Sequence, residues 1–257
     1  MTKTKIAIHD SSSNDSKAIN RQLLENLSED YDIVFSKLHG RLFHLHQTMK
    51  PKLLLWSSSE YTQEFHDYIV EHQKDTCIIL LVDYPIDQSD LVNFLQQSNV
   101  NIVLNKRTET NVKTIAEYDT LYEDSIFFDT GSDRLDKTLV LLSPDNKDNE
   151  IIKEICYPNT NHKIVAVGNP EFDSPINLGI YNLPDLAFMF NRFKSVIDVT
   201  GNAVLPAQAC SAPCIDTTNL KNNFTNNVYI QPIDNINELT FKYFAEKNII
   251  PFIRNKV

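Results

Sequence analysis

The sequence predicts an α/β fold with parallel sheets divided between two domains. Three observations lead there. Short apolar runs rich in β-branched residues recur along all 257 residues, and several, such as "CIILLV" at 77–82, are apolar throughout rather than alternating. That is the pattern of strands covered on both faces, as in a parallel sheet between helices. Helix-patterned segments separate the runs, so the order is strand, helix, strand throughout. Finally, a single twelve-stranded sheet would be unusually wide, and two six-stranded sheets fit better.

The first series of runs is "KIAIH" (5–9), "DIVFS" (32–36), "KLLLWS" (52–57), "CIILLV" (77–82), "NIVLN" (101–105) and "SIFF" (125–128). Between them, "DSKAINRQLLENLSE" sets Ile19, Leu23, Leu24 and Leu27 on one helical face, and "EYTQEFHDYIVEHQ" does so with Phe65, Tyr68 and Ile69. "DQSDLVNFLQQSN" opens with acidic and hydroxyl residues suited to a first helical turn. The second series is "TLVLLS" (138–143), "KIVAVG" (163–168), "INLGIY" (176–181), "SVIDV" (195–199), "PCIDT" (213–217) and "VYIQP" (228–232). Its helices are "KDNEIIKEICYP", "NLPDLAFMFNRFK", "LPAQACSA" and "NELTFKYFAEKN". The polar stretch "FDTGSDRLDKT" (128–138) has the least regular pattern, and the expected domains are therefore 1–130 and 131–257. The last helix and the tail "IIPFIRNKV" are candidates to pack back on the first domain.

The chain carries 24 Lys and Arg against 34 Asp and Glu, a formal net charge of −10. That argues against a protein built to grip nucleic acid by neutralising phosphates. The four cysteines, Cys77, Cys156, Cys210 and Cys214, form no CxxC pair and have no His at zinc-finger spacing, so free thiols in a reducing compartment are expected. The opening residues show no signal-peptide pattern and no apolar run is long enough to cross a bilayer, which gives a soluble, cytoplasmic expectation. Two "SSS" triplets, at 11–13 and 57–59, each follow a strand. They fall at the carboxyl edge of a sheet, where open α/β folds bind ligands, and equally suit solvated loops that begin helices.

Read from residue 138, the second half runs strand, "SPDNKDN", helix, "HKIVAVG" and "INLGIYNLPDLAFMFNRFKSVIDVTGNAVLPAQACSAPCI", an order that resembles the nucleotide-sugar donor domain of GT-B-type glycosyltransferases. "LGIYNLPDLAFMFNRFKSVIDV" corresponds to the middle of that domain's pattern, and "GNAVLPAQACSAPCI" to the Gly turn and small-residue segment that follow. The resemblance covers about residues 138–218. It implies two Rossmann-like domains facing across a cleft, and metal-independent transfer of a sugar from a nucleotide-activated donor to an acceptor hydroxyl, with no cofactor. The family's ribose-holding acidic residue falls at Pro206, and its second Gly at Ser211. The first half is similar to a generic Rossmann-like domain and to response-regulator receivers, but the phosphorylatable Asp is missing after "KLLLW". The open alternatives are a non-catalytic nucleotide- or sugar-binding protein and a regulatory protein with a degenerate receiver-like domain.

In the light of that resemblance, Thr200, Gly201 and Asn202 become candidates for a donor diphosphate. A helix start after a strand offers free N–H groups and a favourable dipole, although an N-cap and turn would use the same residues. Lys147 in "SPDNKDN" is a candidate cation for the diphosphate, with Arg134 and Lys137 as competitors. Tyr181 and Asn182 stand where the family wraps its nucleobase, and Gln208 near Pro206 could bond a hydroxyl. Phe190 and Phe193 read as core. For the acceptor's proton, His9, oriented by Asp10, and His39 are the candidate bases. His44 and His46 have an HxH spacing that suits a metal, but no third ligand accompanies them, so no metal is expected.

Overall fold

In a computed structural model of the chain, the structure describes residues 3–9, 13–36, 42–57, 61–83, 89–106, 112–142, 152–154, 164–168 and 177–257. Two compact units are present: Met1–Leu121 together with Phe241–Val257, and Tyr122–Thr240.

The first unit runs β1 (Thr4–His9), α1 (Asn14–Leu27), β2 (Tyr31–Ser36), α2 (Leu42–Met49), β3 (Leu53–Ser57), α3 (Gln63–His72), β4 (Cys77–Val82), α4 (Ser89–Gln97), β5 (Val100–Asn105) and β6 (Ala116–Tyr118). Its described strands pair in parallel in the order β2-β1-β3-β4-β5-β6. The order turns around β1, so the carboxyl ends of β1 and β3 form the switch point where such sheets offer a crevice. The sequence explains the two-sided burial. Alternate residues of β3 point to opposite faces: Leu53 and Leu55 join one core with Ile19, Leu23 and Leu27 of α1, while Leu54 and Trp56 join the other with Phe65 and Ile69 of α3. Trp56 is fully buried and stacks on Phe65 at 4.7 Å. Leu24, expected on the buried face of α1, is exposed. Local chemistry sets the helix starts: Ser13 caps α1 and Thr62 caps α3 by accepting N–H groups three residues on.

The first unit is completed by the last helical segment. It consists of Phe241–Phe244, a π turn at Ala245–Ile249, and Ile250–Lys256, with Pro251 in the first turn of the final piece. Phe241, Phe244, Ile249, Ile250 and Ile253 lie in the same core as α1. Fully burying each such side chain contributes about 1.5–3 kcal/mol.

The second unit runs β7 (Leu135–Leu141), β8 (Ile164–Val167), α5 (Leu183–Arg192), β9 (Phe193–Asp198), α6 (Val204–Ala209), β10 (Cys214–Ile215) and α7 (Leu220–Asn226). Its described strands are parallel, in the order β10-β9-β7-β8. Here too the central strand feeds two cores, Leu139 and Leu141 on one side and Val140 on the other.

Three expected strands are not ladder strands. "SIFF" is a turn in which the Ile126 and Phe127 N–H groups donate to the Glu123 carbonyl. Phe127 is buried beside Phe190, so the run is apolar because it plugs a core. "INLGIY" makes one bridge, Asn177 to Ala166, then turns at Gly179 (φ +79°). "VYIQP" makes one antiparallel bridge, Tyr229 to Ile215. In the other direction, β6, α2 and α7 were not anticipated.

The division between units falls at Tyr122, ahead of the polar Gly131 segment expected to carry it. That segment is fastened within the second unit. Asn191 is 5% exposed, its Oδ1 accepts the N–H and hydroxyl of Thr130, and its Nδ2 donates to the Phe128 and Ala187 carbonyls. The chain enters and leaves this unit side by side, with the Tyr122 N–H donating to the Leu239 carbonyl at 3.0 Å.

Candidate functional site

In a parallel α/β sheet the chemistry is expected beyond the carboxyl ends of the strands. In the second unit these ends are Leu142 after β7, Gly168 after β8 and Asp198 at the end of β9. Gly168 has φ +105°, and a Cβ there would lie 2.9 Å from the Leu142 carbonyl oxygen, so only glycine fits. The half-buried Tyr181 ring lies against this glycine. Burial raises the Tyr181 hydroxyl's pKa, and the neighbouring Asp198 carboxylate adds to the rise.

Asp198 is 3% exposed and organises the turn that follows. Its Oδ1 accepts the Thr200 N–H at 3.0 Å and the Thr200 hydroxyl at 2.6 Å, and its Oδ2 accepts the Ala203 N–H at 2.6 Å. The Thr200 hydroxyl oxygen in turn accepts the Asn202 N–H at 3.3 Å. Gly201 sits at the apex with φ +73°, and nothing lies within 4 Å of the place a Cβ would occupy. This corrects the expectation for Thr200, Gly201 and Asn202. The helix does not begin at Gly201 but at Val204, it is six residues long, and the N–H groups of residues 200, 202 and 203 are taken by an internal carboxylate and a hydroxyl. A carboxylate in this position also opposes a second anion.

Other expected donor contacts have structural duties. Asn182 is the N-cap of α5, its Oδ1 accepting the Asp185 N–H at 2.8 Å. Gln208 uses both ends of its amide: Nε2 donates to the Gln231 carbonyl and Oε1 accepts the Ile233 N–H, fastening 231–233 to α6. Arg134 donates to the Phe190, Phe193 and Cys210 carbonyls, satisfying the orphan acceptors where α5 and α6 end. Lys147 lies outside the described residues. Phe190 and Phe193 are core. Asp198 was missed, although an Asp two residues before Thr and three before Gly is the signature of a side chain that bonds its own following turn.

At the carboxyl edge of the first unit, His9 ends β1 and Ser57 ends β3. The His9 Nδ1 is 2.7 Å from the Ser57 carbonyl. A carbonyl can only accept, so Nδ1 carries the proton and Nε2 is the basic nitrogen. The Ser57 hydroxyl donates to the His9 carbonyl at 2.8 Å, and the ring stacks on Trp56 at 3.9 Å. At 2% exposure His9 braces β1 against β3, which is not the open position that a base for an acceptor hydroxyl requires. The proposed partners Asp10 and His39 lie outside the described residues. Around the same edge the Ser16 hydroxyl donates to Asp83 Oδ2 at 2.9 Å.

His44 and His46 do not converge, because residues two apart on a helix face different ways. His46 turns inward, with Nδ1 2.9 Å from the Tyr68 hydroxyl and its ring stacked 3.7 Å from His72. Among the described residues no group of three or more His, Cys, Asp or Glu could hold a metal, and no helix is long and apolar enough to cross a membrane.

The sheet orders define a protein of two Rossmann-like parallel α/β units. Similar solved structures include the UDP-GlcNAc 2-epimerase of Methanocaldococcus jannaschii, 11% identical, with a TM-score of 0.52 over 98% of this chain and 100% of that one. Another is a Listeria monocytogenes protein provisionally named a UDP-N-acetylglucosamine 2-epimerase, 10% identical, with a TM-score of 0.49 over 96% of this chain and 87% of that one. No protein-family model matches the sequence, and no curated protein matches it. At these identities the likeness is one of fold.

Proposed function

We propose that this protein binds a nucleotide sugar at the carboxyl edge of its second unit and transfers the sugar to an acceptor hydroxyl. The observation that carries the proposal is the fold likeness to a protein named for UDP-GlcNAc, which extends over 98% of the chain. The glycosyltransferase-like pattern of residues 138–218 is what favours transfer over epimerisation. In this reading Gly168 and Tyr181 border the donor. Lys147 is the candidate cation for the diphosphate in this reading, in place of the turn after β9, whose N–H groups are occupied.

A second reading keeps the ligand and drops the transfer. It is favoured by the captured N–H groups at Thr200 and Ala203, by Pro206 standing in α6 where the family pattern has an acid, and by the buried position of His9. Calorimetry with UDP-GlcNAc, other nucleotide sugars and free UDP tests both. Saturable heat with an intact nucleotide sugar, lost on Tyr181→Ala, supports the ligand, and glycosylated product from an acceptor panel then selects transfer. Absence of heat with every nucleotide sugar at millimolar concentration overturns the proposal.

A further inference from the structure

At the amino end of the first unit's sheet, away from the edge where His9 lies, a cavity of about 720 Å³ opens among the strand starts. Four lysines line it, each from a different segment: Lys52 before β3, Lys74 between α3 and β4, Lys113 before β6, and Lys256 at the end of the last helix. Among the described lining residues Asp75 is the one carboxylate side chain, and Val257, with its main-chain carboxylate, lines the cavity too. This is a local positive excess in a chain whose net charge is −10. None of these four is in an ion pair with a described residue, as Lys194 is with Asp136 and Lys221 with Glu154. Lys256 instead stands over the Phe252 ring at 5.7 Å.

We propose that this cavity binds a small solute carrying two or more phosphate groups. With four lysines on the wall of one concavity, a polyanion placed there is attracted by several charges at once. A concave surface also focuses the field, so the attraction is larger than on a flat lysine patch. The volume falls within the range of small-molecule sites. Lysine suits phosphate as a flexible point charge. Polar residues such as Ser98 and Asn99 lie along the same wall. The cavity belongs wholly to the first unit and does not depend on the nucleotide-sugar reading.

The test is calorimetry on the full chain with inorganic phosphate, pyrophosphate, tripolyphosphate and a hexose bisphosphate at physiological salt. Single-site binding is expected, with affinity rising from phosphate to tripolyphosphate. Lys52→Gln and Lys113→Gln should each weaken it about tenfold, while Lys194→Gln and Lys221→Gln leave it unchanged. A hexose bisphosphate that binds more tightly than pyrophosphate marks a phosphorylated sugar as the natural ligand, and the reverse order marks inorganic polyphosphate. Three results would overturn the proposal: no heat with any probe at millimolar concentration, equal weakening by Lys194→Gln, or Lys52→Gln and Lys113→Gln that lower the melting temperature without changing affinity. The last would mean that the lysines only balance the carbonyl ends of α3 and α4.

Discussion

Asp198 Oδ2 accepts the Ala203 N–H at 2.6 Å, and through that bond a carboxylate at the end of β9 holds the residue from which α6 starts. Asp198→Ala removes this bond and the two to Thr200. Because the acceptor is charged and buried, the expected loss is about 3 kcal/mol. Urea unfolding checks it, and Asp198→Asn, which keeps one carbonyl oxygen, should lose less.

Gly201→Val tests what the glycine is for. The space around it is open, so the substitution meets no clash, but it forces a β-branched residue to φ +73°. The expected cost is about 1–2 kcal/mol of stability, with nucleotide-sugar affinity of the folded protein unchanged. A drop in affinity with an unchanged unfolding midpoint would return this turn to the donor site.

Asn191→Ala should loosen residues 128–130 from α5. Four hydrogen bonds end on this side chain, and truncation leaves buried partners unsatisfied, at about 2–3 kcal/mol in all. Hydrogen exchange should show faster exchange at the Thr130 N–H, which now donates to Asn191 Oδ1. Unchanged protection there would mean that the segment is held by Phe127 and Arg134 alone.

Burial pushes the Cys210 thiol up to about 11 and the Cys214 thiol up to about 12, the latter helped by the nearby Asp198 carboxylate. Both groups are therefore neutral in the fold well above pH 9. Their contribution to stability is full below about pH 9, the ordinary thiol value, and is lost as pH rises through 11 and 12. Disulfide-exchange reagents at pH 8 should leave both thiols unmodified in the native protein and label them in denaturant. Labelling of either before unfolding would contradict the burial.

His46 moves the other way. Burial, and then the neighbouring His72, lower its pKa from 6.5, against the smaller raising effects of Glu71 and Asp75, with Lys50 lowering it slightly. The neutral ring is the stable form, so its contribution is present above about pH 6.5 and lost as pH falls below that value. Native stability should decline between pH 6.5 and 5 more steeply than in His46→Gln, which keeps a polar partner for the Tyr68 hydroxyl. Parallel slopes in the two proteins would remove His46 from the acid sensitivity.

The parallel α/β class, five of the six strands of the first sheet and the main helices were legible because period and burial are written in the same residues: Leu53 to Trp56 are apolar at every position because both faces are covered. Two things were not legible. Runs such as "SIFF" and "INLGIY" are apolar enough for strands, but apolarity records burial or contact and not ladder pairing. The turn after β9 read as an anion site because a Gly after a strand looks the same whether its neighbours' N–H groups face a ligand or an internal carboxylate. Only the position of Asp198 separates the two cases. The lysine cavity was invisible for a similar reason, since Lys52, Lys74, Lys113 and Lys256 are scattered in sequence and meet only when the sheet forms.

The core between α1 and the sheet includes Phe241, Phe244, Ile249, Ile250 and Ile253, all of which follow the whole second unit in the chain. During synthesis the first 121 residues therefore leave the ribosome without the part of the α1 core that Phe241, Phe244, Ile249, Ile250 and Ile253 supply, and that side stays open until the segment beyond Thr240 emerges. A chain that ended at Thr240 would carry every residue of the second unit but a first unit with one side of its core open, a species suited to capture by chaperones.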